Sequence, residues 1–207
     1  MAAAHALGGS SCAAGNRVTL VSGGKAPGAD FAMATQRRIA DALQRLRVEV
    51  LLDTCVGMES GEIHLASGAR LVSDLPLLAV GAQAPAWLAA SALACDATGF
   101  VLVNACQQST SHEAVFAAGD VASCVDAPHA RSGVYAVRAG PPLLAKLRAV
   151  LNGQPLATYM PQKRSLYLLS CGGRRAIAVW GGFSTEGVWV WRWKNWIDRR
   201  FVATYTA

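Results

Sequence analysis

Apolar positions along the chain alternate between short β-branched runs and longer stretches with helical spacing. Residues 1–7 are Ala-rich and favour a helix. Residues 17–22 form a β-branched run stopped by Gly23-Gly24, which predicts a buried strand. Over residues 30–47, Phe31, Ile39, Leu43 and Leu46 recur at helical spacing, with arginines on the other faces, and residues 48–52 read as a second strand. Strand, helix, strand is the pattern of a parallel sheet. A Ser67-Gly68 turn between 62–65 and 71–72 predicts a hairpin. The continuous apolar run 75–80 predicts a strand buried on both faces. A short crossing segment at 85–93 and a strand over 99–104 follow.

Residues 115–120 read as an apolar strand that ends in Gly-Asp. Residues 132–151 show helical periodicity, which Pro141-Pro142 should kink or divide, and Gly153 and Pro155 close the element. Beyond that point residues 165–170, 176–180 and 188–193 are strand-like, separated by Gly-rich turns, with a last helix near 196–205.

With 53% hydrophobic and 15% charged residues in 207, the chain has ample core material and is not of disordered type. No run of about 18 apolar residues exists to cross a bilayer. The N-terminus lacks the basic region of a secretory signal, so a cytoplasmic α/β protein is expected. Residues 151–207 carry eight Lys/Arg against two Asp/Glu and hold the whole +6 excess, together with five of the six Trp. Such an end suits an anionic surface. The six cysteines, Cys12, Cys55, Cys95, Cys106, Cys124 and Cys171, show no CxxC or zinc spacing, and no metal site is expected. His64, His112 and His129 have no nucleophile partner in the sequence and read as surface or loop residues.

A Gly-Asp at a strand end has a specific use in an open parallel sheet, where ligands bind beyond the carboxyl ends of strands. The glycine lets backbone approach the ligand, and the carboxylate accepts hydrogen bonds from sugar-type hydroxyls. Gly-Asp is also an ordinary turn, so spacing alone leaves both readings open.

Residues 109–123, ending in Ala118-Gly119-Asp120-Val121-Ala122-Ser123, resemble the C-terminal FAD signature of the pyridine nucleotide-disulfide oxidoreductase superfamily. Residues 78–85 resemble that superfamily's A-T-G-x-x-P strand end, with Val80 in place of the Thr and an extra residue before Pro85. Residues 131–141 look like the following helix. The tail, through Tyr159-Met160-Pro161-Gln162, Trp189 to Lys194 and Ile197 to Phe201, is similar to NADH dehydrogenase-like flavoproteins found alone or fused to selenide, water dikinase.

The resemblance implies an FAD-dependent NAD(P)H oxidoreductase in which hydride passes from nicotinamide to flavin and on to a quinone or other small-molecule acceptor. No protein acid is needed for that transfer, so no catalytic residue need be visible in the sequence. By the same resemblance Gly119, Asp120 and Val121 would meet the flavin's ribityl chain, and Ser132, Gly133 and Val134 would open the helix aimed at the flavin. Gly81 and Ala82 would lie near the nicotinamide. The implied architecture is α/β: a partial NAD(P)-binding domain over 1–96, the returning segment of an FAD-binding domain over 97–151, and a small β-rich domain over 152–207.

No G-x-G-x-x-G follows a strand, so both pyrophosphate-cradling loops of the family are lacking. Residues 1–7 resemble the helix after the NAD loop. The chain is therefore expected to be the C-terminal part of such a flavoprotein, binding cofactor weakly or not at all by itself. The alternative is a non-catalytic or interaction subunit that needs a separate N-terminal half. Trp189, Trp191 and Trp193 alternate with Val190, Arg192 and Lys194, which in a strand would set indoles and cations on opposite faces. Core packing, contact with a membrane surface and nucleic-acid binding are the three readings. No nucleic-acid module accompanies the third, and nucleic acid is not expected as a partner.

Overall fold

A computed structural model describes residues 17–206. The described chain divides into two compact units: the chain up to Leu77 together with that from Arg164 onward, and Leu78–Lys163.

In the first unit, β1 (Val18–Val21) and β2 (Val48–Leu51) form a parallel pair, with Val18 opposite Val48 and Val21 opposite Leu51. The crossover between them is α1 (Met33–Arg45), as a parallel pair requires. Its buried residues Thr35, Ile39, Ala42 and Leu43 fall at the i, i+4, i+7, i+8 spacing of one helix face. An antiparallel meander follows β2: β3 (Cys55–Glu59), β4 (Glu62–Leu65) and β5 (Arg70–Val72). The β4–β5 hairpin is the one the Ser67-Gly68 turn predicts.

The rest of this unit is a second meander, β8 (Leu166–Ser170), β9 (Ala176–Trp180) and β10 (Phe183–Gly187), followed by α4 (Val188–Tyr205). Alternation along β9 builds two cores at once. Ile177 and Val179 join Ile39, Ala42, Leu43 and Cys171 on the α1 side, while Ala176 and Ala178 join Val190 on the α4 side. β8 obeys the same rule, with Tyr167 and Leu169 toward α1 and Leu166 and Leu168 toward α4. The result is three layers, helix, sheet, helix. Arg45 of α1 and Arg175 both bond the buried carboxylate of Glu186 on β10, fastening helix to sheet.

The second unit pairs β6 (Val101–Val103) with β7 (Ala122–Cys124) in parallel, Val101 opposite Ala122 and Val103 opposite Cys124. Leu88 of α2 (Ala86–Ala90) packs with Val101, Val103 and Ala117 as its core. The unit's long helix is α3 (Gly133–Leu151).

Four expectations are corrected. Residues 75–80 form no ladder. Leu75, Leu77, Leu78 and Val80 are all exposed, and Pro76 within the run has no N–H to give a neighbour. Residues 115–118 are extended but paired only through the isolated bridge Gln108–Phe116, so the strand lies after Gly-Asp, as β7, rather than before it. Residues 188–193 are not a strand but the first turns of α4, a helix that starts eight residues before the expected 196. Pro141 and Pro142 do not divide α3, which runs through them although neither can donate to the carbonyls of Val137 and Arg138. The expected helix over residues 1–7 lies outside the described residues.

Candidate functional site

The site is built in the second unit around a single tight turn. After the extended residues 115–118, Gly119–Val121 make one turn of 3-10 helix. Gly119 has φ +72°, which L side chains rarely adopt. A Cβ on Gly119 would lie 3.3 Å from the Cβ of Ala136, in the first turn of α3. Glycine is therefore what lets the turn close against that helix. Asp120, one residue on, is exposed, and its carboxylate makes no hydrogen bond or ion pair among the described residues.

The N-terminus of α3 is shaped by what it lacks. Its N-cap, Ser132, has extended backbone but makes no side-chain cap, and the first turn carries no acidic residue. The Ser132 hydroxyl is buried without a hydrogen-bond partner. Free N–H groups at a helix start carry partial positive charge and attract anions. The Gly119–Val121 turn and the first turn of α3 thus bring a free carboxylate, backbone donors and an unused hydroxyl into one neighbourhood. Together they can bind a ligand with both hydroxyl and anionic groups.

The approach to α3 is held rigidly. Arg131 donates to Asp96 at 2.9 Å and lies over the Phe100 ring at 3.6 Å. Burial works to raise the pKa of Asp96. Hydrogen bonds from the Thr98 side chain, the Phe100 N–H and the Ser123 side chain outweigh it and hold the carboxyl well below the usual range. His129 stacks on Tyr135 at 4.8 Å.

Of the residues singled out in the sequence, Gly119, Asp120 and Val121 are brought against the helix opened by Ser132, Gly133 and Val134. Gly81 and Ala82 are not joined to them by any hydrogen bond among the described residues. They sit in an exposed segment, with open space on the Cβ side of Gly81.

The sequence reading passed over a second group in the same unit. A small cavity lined by Gly119, Cys124, His129, Ala139 and Tyr159 lies beside buried Lys146. Lys146 Nζ donates to Gln107 Oε1 at 2.9 Å, and Gln107 Nε2 donates to the Ala139 carbonyl at 3.1 Å. Burial lowers the Lys146 pKa. The signal was present in the sequence, since Lys146 follows buried Ala139 by seven residues and so shares its inward face.

In the first unit a separate open groove of about 500 Å³ runs along α1 and β2, lined by Pro27, Arg37, Leu43 and Val50 among others. Among the described residues no group of His, Cys, Asp and Glu could hold a metal ion, and no helix is long and apolar enough to cross a membrane.

Solved structures share this fold. The sulfide:quinone oxidoreductase of the hyperthermophilic bacterium Aquifex aeolicus matches 97% of this chain and 52% of its own, with 13% identity and a TM-score of 0.74. The water-forming NADH oxidase of Lactobacillus brevis, solved with NADH, matches 82% of this chain and 38% of its own, at 22% identity and a TM-score of 0.62. A ferredoxin reductase of Rhodopseudomonas palustris matches 79% and 41%, at 17% identity and a TM-score of 0.60. The chain spans about half the length of these neighbours or less. At such identities the likeness is one of fold. The family model described as pyridine nucleotide-disulphide oxidoreductase matches residues 2–140, more than half of the chain, and the protein belongs to that family.

Proposed function

We propose that this chain forms the flavin-facing part of an FAD-dependent NAD(P)H oxidoreductase of the NADH dehydrogenase-like kind. The observation that carries the reading is the closure of the Gly119–Val121 turn against the start of α3, which leaves the Asp120 carboxylate and the buried Ser132 hydroxyl without partners. An orphaned buried hydroxyl costs about 1–3 kcal/mol, a cost that a ligand group can remove. These residues fit FAD. Asp120 would accept hydrogen bonds from ribityl hydroxyls, and the α3 N-terminus would favour negative charge on the bound group. When bound, FAD accepts hydride equivalents from NAD(P)H and passes the electrons to an acceptor. The chain's own residues bind and orient; none is required to move a proton. Gly81 and Ala82 are assigned to the nicotinamide side on resemblance alone.

The acceptor is proposed to be a quinone or another small molecule. The glycine loops for both pyrophosphates are proposed to come from an N-terminal half not contained in these residues, since the sequence holds no G-x-G-x-x-G. The exposed indoles of Trp189, Trp193 and Trp196 with Arg200 over Trp196 favour peripheral membrane contact through α4.

Flavin titration tests the reading. The purified chain should quench FAD fluorescence weakly but saturably, and Asp120→Ala should weaken binding roughly tenfold, as loss of a charged hydrogen bond does. Indifference to Asp120→Ala overturns the role of that residue. A tight, stoichiometric yellow protein overturns the need for a separate half.

A further inference from the structure

Strand β2 has a neighbour on one side only. It pairs with β1, and among the described residues no backbone hydrogen bond reaches its other edge. The Ser22 N–H donates to the Leu51 carbonyl at 3.0 Å, so Leu51, and Glu49 two residues before it, face β1. Alternate residues of a strand turn their N–H and C=O groups to opposite sides, which leaves those of Val48 and Val50 on the open edge.

An open edge is commonly blunted by charge or by a covering element. This one adjoins an apolar groove. The groove, of about 500 Å³, is walled by Val48 and Val50 on one side and by Arg37, Ala40 and Leu43 of α1 on the other, with Pro27 from the loop before α1. The same two valines therefore supply unpaired backbone groups and apolar wall. Groove and edge lie wholly within the first unit.

Arg37 is the one charged residue that lines the groove. It is exposed and makes no ion pair among the described residues, not even with Asp41 one turn on. Glu49, the one acid on β2, alternates with the two valines and so belongs to the other face of the sheet, where it pairs with Arg17 and accepts from Thr19 Oγ1 at 3.3 Å. An apolar wall alone would suit a helix or a lipid chain. Unpaired N–H and C=O groups are satisfied in kind by the backbone of another strand.

We propose that the groove between α1 and β2 is a peptide-binding site for an extended segment of another protein. The segment adds to β2 as a strand, sets alternate apolar side chains against Val48, Val50 and Leu43, and pairs a Glu or Asp with Arg37. The four residues of β2 span about 13 Å, so the paired stretch is short. A second copy of β2 is the poorer occupant, because it brings valines but no acid to Arg37, its own Glu49 also facing away. The proposal does not rest on the flavin assignment, which concerns the other unit.

The test uses the full chain and a fluorescently labelled octapeptide, blocked at both ends, in which valine alternates with threonine and one central valine is replaced by glutamate. Fluorescence anisotropy should show saturable binding. Glutamine in place of the glutamate should weaken it about fivefold, which is what an exposed ion pair is worth. Arg37→Gln should weaken the glutamate peptide to the same extent and leave the glutamine peptide unchanged. N-methylation of alternate peptide amides should abolish binding in one of its two phases and spare it in the other. Ala40→Arg, at an exposed helix position on the groove wall, should block both peptides without changing the circular dichroism spectrum.

No saturable binding at millimolar peptide overturns the proposal. Equal binding by the two N-methylated phases overturns strand addition, and full binding by Ala40→Arg overturns the groove as the site. Equal losses for both peptides on Arg37→Gln overturn the pairing with the acid. A dimer in sedimentation that Ala40→Arg dissolves makes the occupant a second copy and overturns the assignment to another protein.

Discussion

Arg131 and Asp96 are joined by a 2.9 Å ion pair that ties the residue just before α3 to the turn leading into β6. Asp96 spends its carboxylate on Thr98 and the Phe100 N–H as well, so one side chain sets both the strand entry and the helix entry. Because its folded pKa is depressed, this group contributes stability that is fully present above the ordinary carboxylate pKa and is lost as pH falls below about 4. Thermal unfolding should therefore show a falling melting temperature from about pH 4 downward. In Asp96→Asn the melting temperature should be lower at neutral pH and flatter through that acid range. An unchanged acid limb in the variant would count against the assignment.

Gly119→Ala should destabilise the protein by about 1–2 kcal/mol, because the left-handed φ is costly for alanine and the added methyl group crowds Ala136. Chemical denaturation reads this directly. Flavin quenching by the same variant should fall even under conditions where it remains folded, since the turn must shift away from α3.

Glu186→Gln removes the charge shared by Arg45 and Arg175. Both arginines are about half exposed and can return to water, so the loss should be roughly 1–3 kcal/mol rather than that of a sealed ion pair. The measurement is the denaturation midpoint. A change within experimental error would show that the α1 contact with β8 and β9 carries the joint without the carboxylate.

The proposed membrane contact of α4 is tested at the stacked pair Trp189 and Trp193, 6.5 Å between ring centroids and both open to solvent. Co-sedimentation with vesicles containing anionic lipid should drop severalfold in the Trp189→Ala, Trp193→Ala double variant. Trp191→Ala should instead lower stability, because that indole packs against the Ala176, Ala178, Val190 core. Equal vesicle binding by the double variant and the unaltered chain would remove α4 from the membrane reading.

Gln107→Ala takes away the side chain that partners Lys146 and the Ala139 carbonyl. A buried amine left with only the long bond to Ala105 should cost about 1–3 kcal/mol, seen as a lower denaturation midpoint. Adding Lys146→Met should recover part of that loss, since the unpaired group is then gone.

Much of the fold was legible where a pattern was strong on its own. The Val18 and Val48 strands, the α1 stripe through Ile39 and Leu43, and the hairpin at Ser67-Gly68 all follow from spacing. The errors arose where one pattern serves two structures. Trp189 to Trp193 alternate as a strand would, but the stretch continues into Asn195 to Tyr205 without a Gly or Pro stop, and the helix extends back through it as far as Gly187. Leu75 to Val80 is apolar enough for a central strand, yet hydrophobicity cannot supply a ladder partner. At the site, Gly119 and Asp120 were legible from their pairing. The empty cap at Ser132 and the inward lysine at 146 depend on which neighbours arrive, and no local pattern records that.

The three layers of α1, β8–β10 and α4 join residues 33–45 to residues 166–205, with Leu78–Lys163 lying between them in sequence. During synthesis the ribosome finishes the intervening unit first, and that unit can fold on emergence because its contacts are contiguous. The Ile39 face of α1, which Phe31, Val48 and Val50 cover only in part, must wait for Ile177 and Val179 to leave the exit tunnel. A chain released after Lys163 would therefore carry the whole intervening unit together with an upstream helix that still lacks its β9 cover.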